Sequence, residues 1–477
     1  MLRNILLLTL LAVLLPAAAR TNKVKNPEPK TFVYRYYLRD KAGTEYSLDA
    51  PRRFLSSKSL HRRERQRLTV DSTDIPVCKA YIRQFVRPGC QVIGTSRWQN
   101  TVLVRSADSL LLDSLCRLPL VRDSRCVFVA PDSIEPAGDI IWNVHEEFNL
   151  WDSIRNEPYG AMRHQIEAMG GVSLHEAGFR GRGMTIAILD GGFQNYNRIP
   201  ALQRARILGT HDFVTPPMPQ PSAKAKNKKP RNVSPFHAID HGTKVFSAIG
   251  AYAPEVAIGT APDAFFWLFR CEDPATEQPI EEDYWTMAAE MADSVGADII
   301  NSSLGYYDYD GDNDDYRLQD LDGNTAFISR SASLLARKGI VLCNSAGNAG
   351  MGQWKKIGVP ADARDILTVG AIDRKHNLAP FSSIGPSQDG RIKPDVVALG
   401  ASVALISGRG TLVYDMGTSF STPLVCGLVA CLWQAFPDKT ALEIIDMVRH
   451  CADQYNCPTN IFGYGMPDFR HLIKDDR

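Results

Sequence analysis

Short runs of apolar residues recur along the later two thirds of the chain, and longer segments with helical periodicity separate them. The runs cover 184–190, 264–270, 297–305, 339–348 and 366–373. Each run is almost continuously apolar, which is typical of strands buried on both faces of a parallel sheet. The segments 282–296 and 326–339 predict crossover helices, the second of which ends at Gly339. The alternation predicts an α/β fold, a parallel sheet flanked by helices.

Residues 31–130 follow a different pattern, in which predicted strands and helices alternate over shorter distances. Strands are predicted at 31–38, 90–106 and 125–130, and helices at 51–68, 80–85 and 109–118. This pattern favours a separate, small α+β domain. The helix at 51–68 carries seven Lys and Arg residues and one acidic residue. We expect its basic face to be solvated or to dock on an acidic protein surface, rather than to bind RNA.

The first residues of the chain have the pattern of a signal peptide. Arg3 precedes a short apolar core at 5–15, and small residues at 17–19 offer a cleavage site. The core is too short to span a bilayer, and we expect no later membrane span. The sequence therefore predicts a secreted or otherwise extracytoplasmic protein. The expected domains are a signal peptide at 1–19, an N-terminal domain at 20–140, a linker or processing region at 141–158 and a larger domain at 159–477.

Composition narrows the classes of function. The chain has 477 residues, of which 44% are hydrophobic, and a formal net charge of +1. A nearly neutral chain argues against a nucleic-acid partner. The ten cysteines show no zinc-type spacing. Because export permits disulfides, Cys451 and Cys457 are the expected pair.

Three residues with chemical potential stand at the ends or starts of predicted elements. Asp190 ends a buried strand, His241 begins a helix of small residues, and Ser419 begins an apolar helix after Gly417. Taken singly, each has an ordinary structural explanation, such as a turn, a core histidine or a helix cap. A serine hydroxyl becomes a nucleophile when an imidazole takes its proton and a carboxylate orients that imidazole. The chain offers each of these partners.

Three sequence blocks resemble the catalytic blocks of the subtilisin-like serine proteases, the subtilases. They are AILDGGF (187–193), DHGTKVFSAIGA (240–251) and GTSFSTPLVCGLVA (417–430). They occur in the chain order of that family, Asp then His then Ser, which differs from the chymotrypsin-like order. The resemblance extends over roughly 155–470.

The resemblance implies a serine endopeptidase with an Asp-His-Ser triad and an acyl-enzyme intermediate. Ser419 would be the nucleophile, His241 the general base and then acid, and Asp190 the orienting carboxylate. Gly191 and Gly192 depart from the family, which usually has a hydroxyl residue directly after the aspartate. We expect this change to loosen the hold on Asp190.

The same resemblance implies how a peptide substrate is bound. Asn348 would donate its amide to the developing oxyanion, together with the backbone N–H of Ser419. The implied substrate-binding residues are Ser303, Leu304 and Gly305, which would pair with an extended peptide, and Ser345, Ala346 and Gly347, which would wall the S1 pocket. These small walls predict a preference for apolar or large P1 side chains.

The N-terminal domain is similar, in its order of elements, to the propeptides that subtilases commonly carry. This similarity implies a zymogen whose own N-terminal domain assists folding and blocks the cleft until it is removed. An accessory domain retained in the mature enzyme is the rival interpretation.

An acidic segment at 307–323 offers oxygen ligands of the kind that calcium prefers. Asp308, Asp310 and Asp312 are weak candidates for a structural calcium site, and a solvated acidic loop is the preferred interpretation. No cofactor is expected to be required for the reaction.

Two other functions compete with the protease. The first is a catalytically inactive subtilase fold that acts as a peptide- or protein-binding module, which would not need an intact Asp190, His241, Asn348 and Ser419. The second is an α/β-hydrolase-type esterase, which requires G-x-S-x-G and the order Ser, Asp, His. Neither that motif at Ser419 nor that order occurs.

Overall fold

The computed structural model describes residues 30–129, 156–214, 239–310 and 315–474. The predicted signal peptide, most of the predicted processing region and Asp312 lie outside these ranges. Within them, the chain forms a small antiparallel sheet followed by a larger parallel sheet.

The N-terminal domain has the predicted α+β architecture, an antiparallel sheet with three short helices. Its strands are β1 (Phe32–Leu38), β2 (Gln91–Ser96), β3 (Thr101–Ser106) and β4 (Val121–Val129), in the order β2-β3-β1-β4. Its helices are α1 (Ser57–Arg65), α2 (Lys79–Phe85) and α3 (Ser109–Leu115). One face of the sheet packs on α2 and α3, where Tyr36, Phe85 and Leu112 are fully buried.

Seven parallel strands form the core of the larger domain. Its strands are β5 (Thr185–Asp190), β6 (Arg206–Asp212), β7 (Tyr252–Ala253), β8 (Ala257–Ile258), β9 (Phe265–Arg270), β10 (Ile299–Ser302), β11 (Val341–Ser345), β12 (Leu367–Ile372), β13 (Val396–Leu399), β14 (Val403–Ile406) and β15 (Leu412–Asp415). Its helices are α4 (Arg163–Glu167), α5 (Gly171–Glu176), α6 (His241–Gly250), α7 (Ile280–Val295), α8 (Phe327–Ala332), α9 (Thr418–Ala435), α10 (Ala441–His450) and α11 (Arg470–Lys474). The parallel sheet has the order β13-β12-β11-β10-β5-β9-β6, which confirms the predicted α/β fold.

Strand β5 shows why its sequence is continuously apolar. Successive side chains of a strand point to opposite faces of a sheet. Ile186 and Ile188 pack in one buried cluster with α6 and α9, whereas Ala187 and Leu189 pack in another with α7. Both faces of the strand are therefore covered, as the pattern predicts.

The predicted crossover helices differ in how closely the structure follows them. The first is α7, which matches 282–296 within two residues at its start. The second is shorter than predicted, because α8 ends at Ala332 and a separate 3-10 turn covers Ala336–Lys338. The hydroxyl of Ser333 bonds to Gly323 and Arg364 outside the helix, which competes with helical continuation.

Helix α9 is the one described helix that is long and apolar enough to cross a membrane. It is largely buried, since it packs with α6 and β5 in the core of the larger domain. Its apolar character is accounted for by this packing.

The carboxyl ends of the central strands meet at one edge of the sheet. Asp190 is in register with Arg270 of β9, and Ser302 is in register with Leu189 of β5 and Asn344 of β11. The residues that follow β5, β9, β10 and β11 therefore lie side by side. This is the edge where sites form in α/β folds.

The N-terminal domain packs its second sheet face against α7. Val33, Trp98 and Leu103 share one buried cluster with Trp285 and Ala289 of that helix. The two domains therefore have a continuous apolar interface.

The basic helix α1 docks on acidic and carbonyl groups of the larger domain, the second of the two arrangements expected for it. Arg62 and Arg63 are only 2% exposed, and both bind the carboxylate of Asp293 at the end of α7. Arg62 also donates to the carbonyls of Ala297 and Lys338. Those two residues precede β10 and β11, so α1 lies at the edge of the sheet opposite the carboxyl ends.

Candidate active site

Asp190 is the last residue of β5 and is fully buried. Its Oδ1 atom accepts a hydrogen bond from the backbone N–H of Gly191 at 2.8 Å. Whether the missing hydroxyl loosens the hold on Asp190 stays a prediction. A Cβ atom at Gly191 would lie 2.6 Å from Oε2 of Glu272, so a larger residue would require the Glu272 side chain to move.

His241 is the first residue of α6 and points its Nδ1 atom at Asp190. The distances from Nδ1 are 2.9 Å to Oδ1 and 3.1 Å to Oδ2. Gly242 allows this approach, because its N–H donates to the carbonyl of Gly192 at 2.9 Å and a Cβ there would lie 2.6 Å from that oxygen. The glycines in these two sequence blocks bring the strand end and the helix start together.

The carboxylate of Asp190 controls the protonation of His241. Burial by itself lowers the pKa of the imidazole, because the charged form loses water. The negative charge of Asp190 and its hydrogen bond outweigh that effect and raise the pKa to about 9. The imidazolium form is therefore stabilised, as a general base needs once it has accepted a proton.

Ser419 lies in the first turn of α9. Its hydroxyl donates to the carbonyl of Ser303 at 3.3 Å, and the Ser303 hydroxyl donates to the Ser419 carbonyl at 2.8 Å. The next residue, Phe420, places its ring centroid 5.4 Å from that of His241. The turn that carries Ser419 therefore packs against His241 through Phe420, while the Ser419 hydroxyl is bonded to Ser303. Nucleophile–base hydrogen bonds are often long or absent without substrate.

Asn348 is held so that its amide nitrogen is available. Its Oδ1 atom accepts from the backbone N–H of Thr418 at 2.9 Å and from the Thr418 hydroxyl at 3.0 Å. A Cβ built on Gly417, whose φ is 150°, would lie 3.7 Å from both Asn348 Nδ2 and the Ser419 nitrogen. The Asn348 amide nitrogen and the Ser419 backbone nitrogen therefore both border the space that a side chain at 417 would occupy. Sequence reasoning missed the part of Thr418 in orienting Asn348.

The predicted substrate segment lies directly after β10. Ser303 and Leu304 are buried, and Gly305 is exposed. Among the described residues, no backbone hydrogen bond uses the N–H or C=O of Gly305. Those groups are available to an extended peptide that adds to this edge.

The predicted S1 walls lie at the end of β11, whose last residue is Ser345, and contact the same segment. The Ser345 hydroxyl donates to the Leu304 carbonyl at 3.4 Å. Ala346 is fully buried, while Gly347 is partly exposed and has a left-handed φ of 106°. This glycine turns the chain so that the next residue, Asn348, reaches α9.

Sequence reasoning missed an acidic group beside the Asp190–His241 pair. Glu272 follows β9, and ligand oxygens of Glu272, Glu277 and Glu281 lie within 4.8 Å of one another. Burial and the charge of Asp190 raise the pKa of Glu272 to about 7. Burial and neighbouring carboxylates raise the pKa of Glu277 to about 8 and also raise that of Glu281. The sequence signal that could have revealed this group is the high number of acidic residues in 272–283, directly after the end of a strand.

The predicted calcium candidates are arranged differently. Asp308 and Asp310 are exposed, and an Asp310 oxygen accepts from the backbone N–H of Glu277. Within the described ranges, neither belongs to a group of three or more metal-ligating side chains. Asp312 lies outside the described residues.

The expected disulfide between Cys451 and Cys457 is wrong in this structure, where all ten cysteines are free thiols. Cys451 is buried and donates to the carbonyl of Val448, whereas Cys457 is exposed. The two thiols are therefore in different environments despite their closeness in sequence.

Comparisons with known proteins identify the family of this chain. A family model described as the subtilase family matches residues 181–465, and one described as the peptidase S8 propeptide domain of Bacteroidota matches residues 33–137. Subtilisin NAT of Bacillus subtilis subsp. natto is 27% identical over 326 residues, covering 68% of this chain and 72% of that protein. Serine protease AprX of Bacillus subtilis (strain 168) is 28% identical over 315 residues, covering 60% of this chain and 65% of that protein. The chain belongs to the subtilase family of serine endopeptidases and carries a propeptide domain of that family.

Proposed function

We propose that this chain is an exported serine endopeptidase that hydrolyses peptide bonds through Asp190, His241 and Ser419. The observation that carries the proposal is the contact of His241 Nδ1 with both oxygens of a fully buried Asp190, next to the helix turn that presents Ser419. A buried carboxylate fixes the tautomer in which Nε2 can accept a proton from the serine. Side chains and backbone carry this chemistry, so the reaction requires no cofactor.

The reaction begins when a peptide binds in extended form along 303–305. The Ser419 hydroxyl leaves the Ser303 carbonyl, gives its proton to His241 and attacks the scissile carbonyl carbon. The oxygen of that carbonyl becomes negative and accepts hydrogen bonds from Asn348 Nδ2 and the Ser419 N–H. The free N–H groups at the start of α9 favour negative charge at this place.

The bond to the leaving amine breaks when His241 returns its proton to the amine nitrogen, which leaves an acyl group on Ser419. A water molecule then attacks the acyl carbon while His241 again takes the proton. Collapse of the second tetrahedral intermediate frees the carboxylic acid and restores the Ser419 hydroxyl. Asp190 stays ionised and stabilises the imidazolium in both halves of the reaction.

We infer that the N-terminal domain keeps the enzyme inactive until the chain is cut between 141 and 158. Strand β4 ends at Val129, whose N–H and C=O bond to the side chain of Gln278 at 2.8 and 3.0 Å. Gln278 precedes α7 at the carboxyl edge of the sheet, the edge that carries Asp190. The chain therefore leaves the N-terminal domain on the side of the site, which supports inhibition by its own sequence.

The alternative is an inactive subtilase fold that binds peptides or proteins. The orientation of Asn348 by Thr418 favours the enzyme, because a binding module has no use for an amide aimed at a developing oxyanion.

Peptide libraries should show preference for apolar or large P1 residues, given the small residues at 345–347.

N-terminal sequencing of secreted protein tests self-processing and export together. The wild type should lack the signal peptide and begin near the processing region, whereas a Ser419→Ala variant should lack only the signal peptide. Equal processing of both proteins would contradict self-processing. A matched Ser421→Ala variant, whose hydroxyl bonds back to the Thr418 carbonyl, should process like the wild type.

A further inference from the structure

Glu272, Glu277 and Glu281 form a compact carboxylate cluster at the carboxyl edge of the sheet. Glu272 lies two residues after β9, and Glu281 is in the first turn of α7. Their ligand oxygens lie within 4.8 Å of one another. Among the described residues, none of the three is paired with a Lys or Arg side chain.

Glu281 is the member that demands an explanation. Its side chain is fully buried, and its Oε2 atom has no hydrogen-bond partner. Its other contact is a long bond of 3.4 Å from the backbone N–H of Asp273. A buried carboxylate without partners is costly, and such groups in native proteins usually have an ion, a water or a donor beside them.

The other buried acids of α7 show how unusual this is. Glu282 accepts from the hydroxyls of Tyr309 and Tyr316, and Asp283 pairs with Arg35. These two acids directly follow Glu281 in the sequence, yet each has its donors. The lack of a partner is therefore specific to Glu281 and its cluster, and it is not shared by the other buried acids at the start of α7.

Tyr306 supplies a second buried polar group without a hydrogen-bond partner near the same cluster. It is 1% exposed, and its hydroxyl has no hydrogen-bond partner. It interacts electrostatically with all three carboxylates of the cluster. A phenolic oxygen and three carboxylates thus share one region. The cationic groups described there, Arg270 and His241, act electrostatically on Glu272 but form no ion pair with it.

Oxygen-only ligands point to a hard cation. Calcium binds oxygens at about 2.3–2.6 Å, so two ligands on opposite sides of the ion are at most about 5 Å apart. Oxygens within 4.8 Å of one another fit inside that span. Magnesium binds at about 2.0–2.1 Å in a near-ideal octahedron and usually keeps several waters, so a cluster of protein carboxylates suits calcium better.

We propose that Glu272, Glu277 and Glu281 bind a calcium ion at the wall of the active site. The ion joins the end of β9, the following loop and the first turn of α7. The Glu272 carboxylate lies next to Gly191, the residue that follows Asp190. A bound ion would therefore hold in place the wall beside the Asp190–His241 pair. The acidic loop adjoins this site, because Asp310 accepts from the backbone N–H of Glu277, but the Asp308 and Asp310 side chains are not among the three grouped carboxylates.

The test uses the full chain with Ser419→Ala, so that no self-cleavage occurs and failure leaves the proposed protease function standing. The protein is stripped with EGTA and titrated with Tb³⁺, whose luminescence Tyr306 can sensitise, and then with Ca²⁺ in competition. We expect saturable binding of one ion and a rise in Tm with Ca²⁺. Glu281→Gln should weaken Ca²⁺ binding at least tenfold.

A second readout separates a ligand from a merely structural glutamate. Without metal, Glu281→Gln should melt at or above the Tm of the stripped parent, because it removes a carboxyl group whose charged form is disfavoured by burial and by its neighbouring carboxylates. Glu272→Gln is the second variant, and it should weaken Ca²⁺ binding to a similar degree. The exposed Glu176→Gln is the matched control and should leave Ca²⁺ affinity within twofold. Asp308→Asn removes a charge that acts on Glu277 only through space, and it should weaken Ca²⁺ binding less than Glu281→Gln does.

Three results would overturn the proposal. The first is that the parent does not bind Ca²⁺. In that case the carboxylates would instead be available to a Lys or Arg side chain of a peptide substrate. The second is an affinity loss with Asp308→Asn but none with Glu281→Gln. The third is a stripped Glu281→Gln protein that is less stable than the stripped parent, which would assign the residue a structural role.

Discussion

The Nδ1 atom of His241 lies 2.9 and 3.1 Å from the two carboxylate oxygens of Asp190, where the start of α6 meets the end of β5. Asp190 is fully buried, and its Oδ1 atom also accepts from the Gly191 N–H. The imidazole is therefore fixed in orientation and tautomer before any substrate binds. The predictions about catalysis rest on this contact.

Asp190→Asn should lower kcat/KM by about 10⁴-fold while leaving the fold intact, because an amide holds the imidazole in the wrong tautomer. Peptide hydrolysis by the processed enzyme measures the change, with circular dichroism as a check on folding. Asp212→Asn is a matched control at the end of β6, where the carboxylate pairs with Arg270 instead of His241. Activity of Asp190→Asn comparable to that of the control would contradict the assigned role.

The pH dependence follows from the raised pKa of His241, which is about 9 in the folded protein. A general base must be neutral, so kcat/KM should rise with pH and level off above about pH 9. Stability runs the opposite way. The imidazolium–carboxylate pair stabilises the fold fully below the unfolded pKa of about 6.5, and this contribution is lost as pH rises through 9.

Kinetics from pH 5 to 10 measure the first effect, and unfolding of Ser419→Ala over the same range measures the second. In Asp190→Asn the ascending limb should move to lower pH, because the charge that raises the pKa of His241 is gone. An ascending limb that stays in place would show that another group titrates.

Asn348→Ala should lower kcat by about 10²–10³-fold with little change in KM, because the lost donor acts on charge that develops in the transition state. Thr418→Val removes one of the two bonds that orient Asn348 and should cause a smaller loss of the same kind. Asn377→Ala, in an exposed turn, is the matched control. A loss confined to KM would assign Asn348 to ground-state binding.

The interface of α1 contains a buried carboxylate that binds three arginines. Arg63, Arg62 and Arg97 converge on Asp293 and hold its pKa well below the usual range, although burial acts in the other direction. Asp293→Asn in the Ser419→Ala chain should lower the free energy of unfolding by about 3–5 kcal/mol, because it leaves buried guanidinium groups without their counter-charge. Urea denaturation measures this change.

The control for that prediction is Asp446→Asn, which removes an exposed partner of Arg449. It should change the free energy of unfolding by less than about 1 kcal/mol. Equal effects of the two substitutions would contradict the view that Asp293 is the anchor of the basic helix.

The sequence predicted the parts of the fold that have a local cause. Continuous apolar runs predicted the parallel strands, and the blocks around Asp190, His241 and Ser419 predicted which ends meet. The ends of α8 were not predictable from periodicity, because hydroxyl bonds to distant segments decide them.

Features made by residues far apart in the chain were missed. No periodicity shows that the basic face of α1 meets Asp293, or that the hydroxyl of Thr418 orients Asn348. In the sequence, the cluster around Glu281 was visible only as a high number of acidic residues. Whether such residues bind an ion depends on which hydrogen-bond donors lie near them in the folded protein. These contacts arise from tertiary packing and not from local pattern.

Labelling with a fluorophosphonate tests the central claim most directly, because the reagent reacts with a serine only when a base and an oxyanion site activate it. We predict stoichiometric labelling of processed protein, with the modified peptide mapped to Ser419, and loss of labelling in both Ser419→Ala and His241→Ala. A Ser421→Ala protein should label as the wild type does. A fully processed, folded protein that stays unlabelled, or one labelled at another serine, would contradict the account.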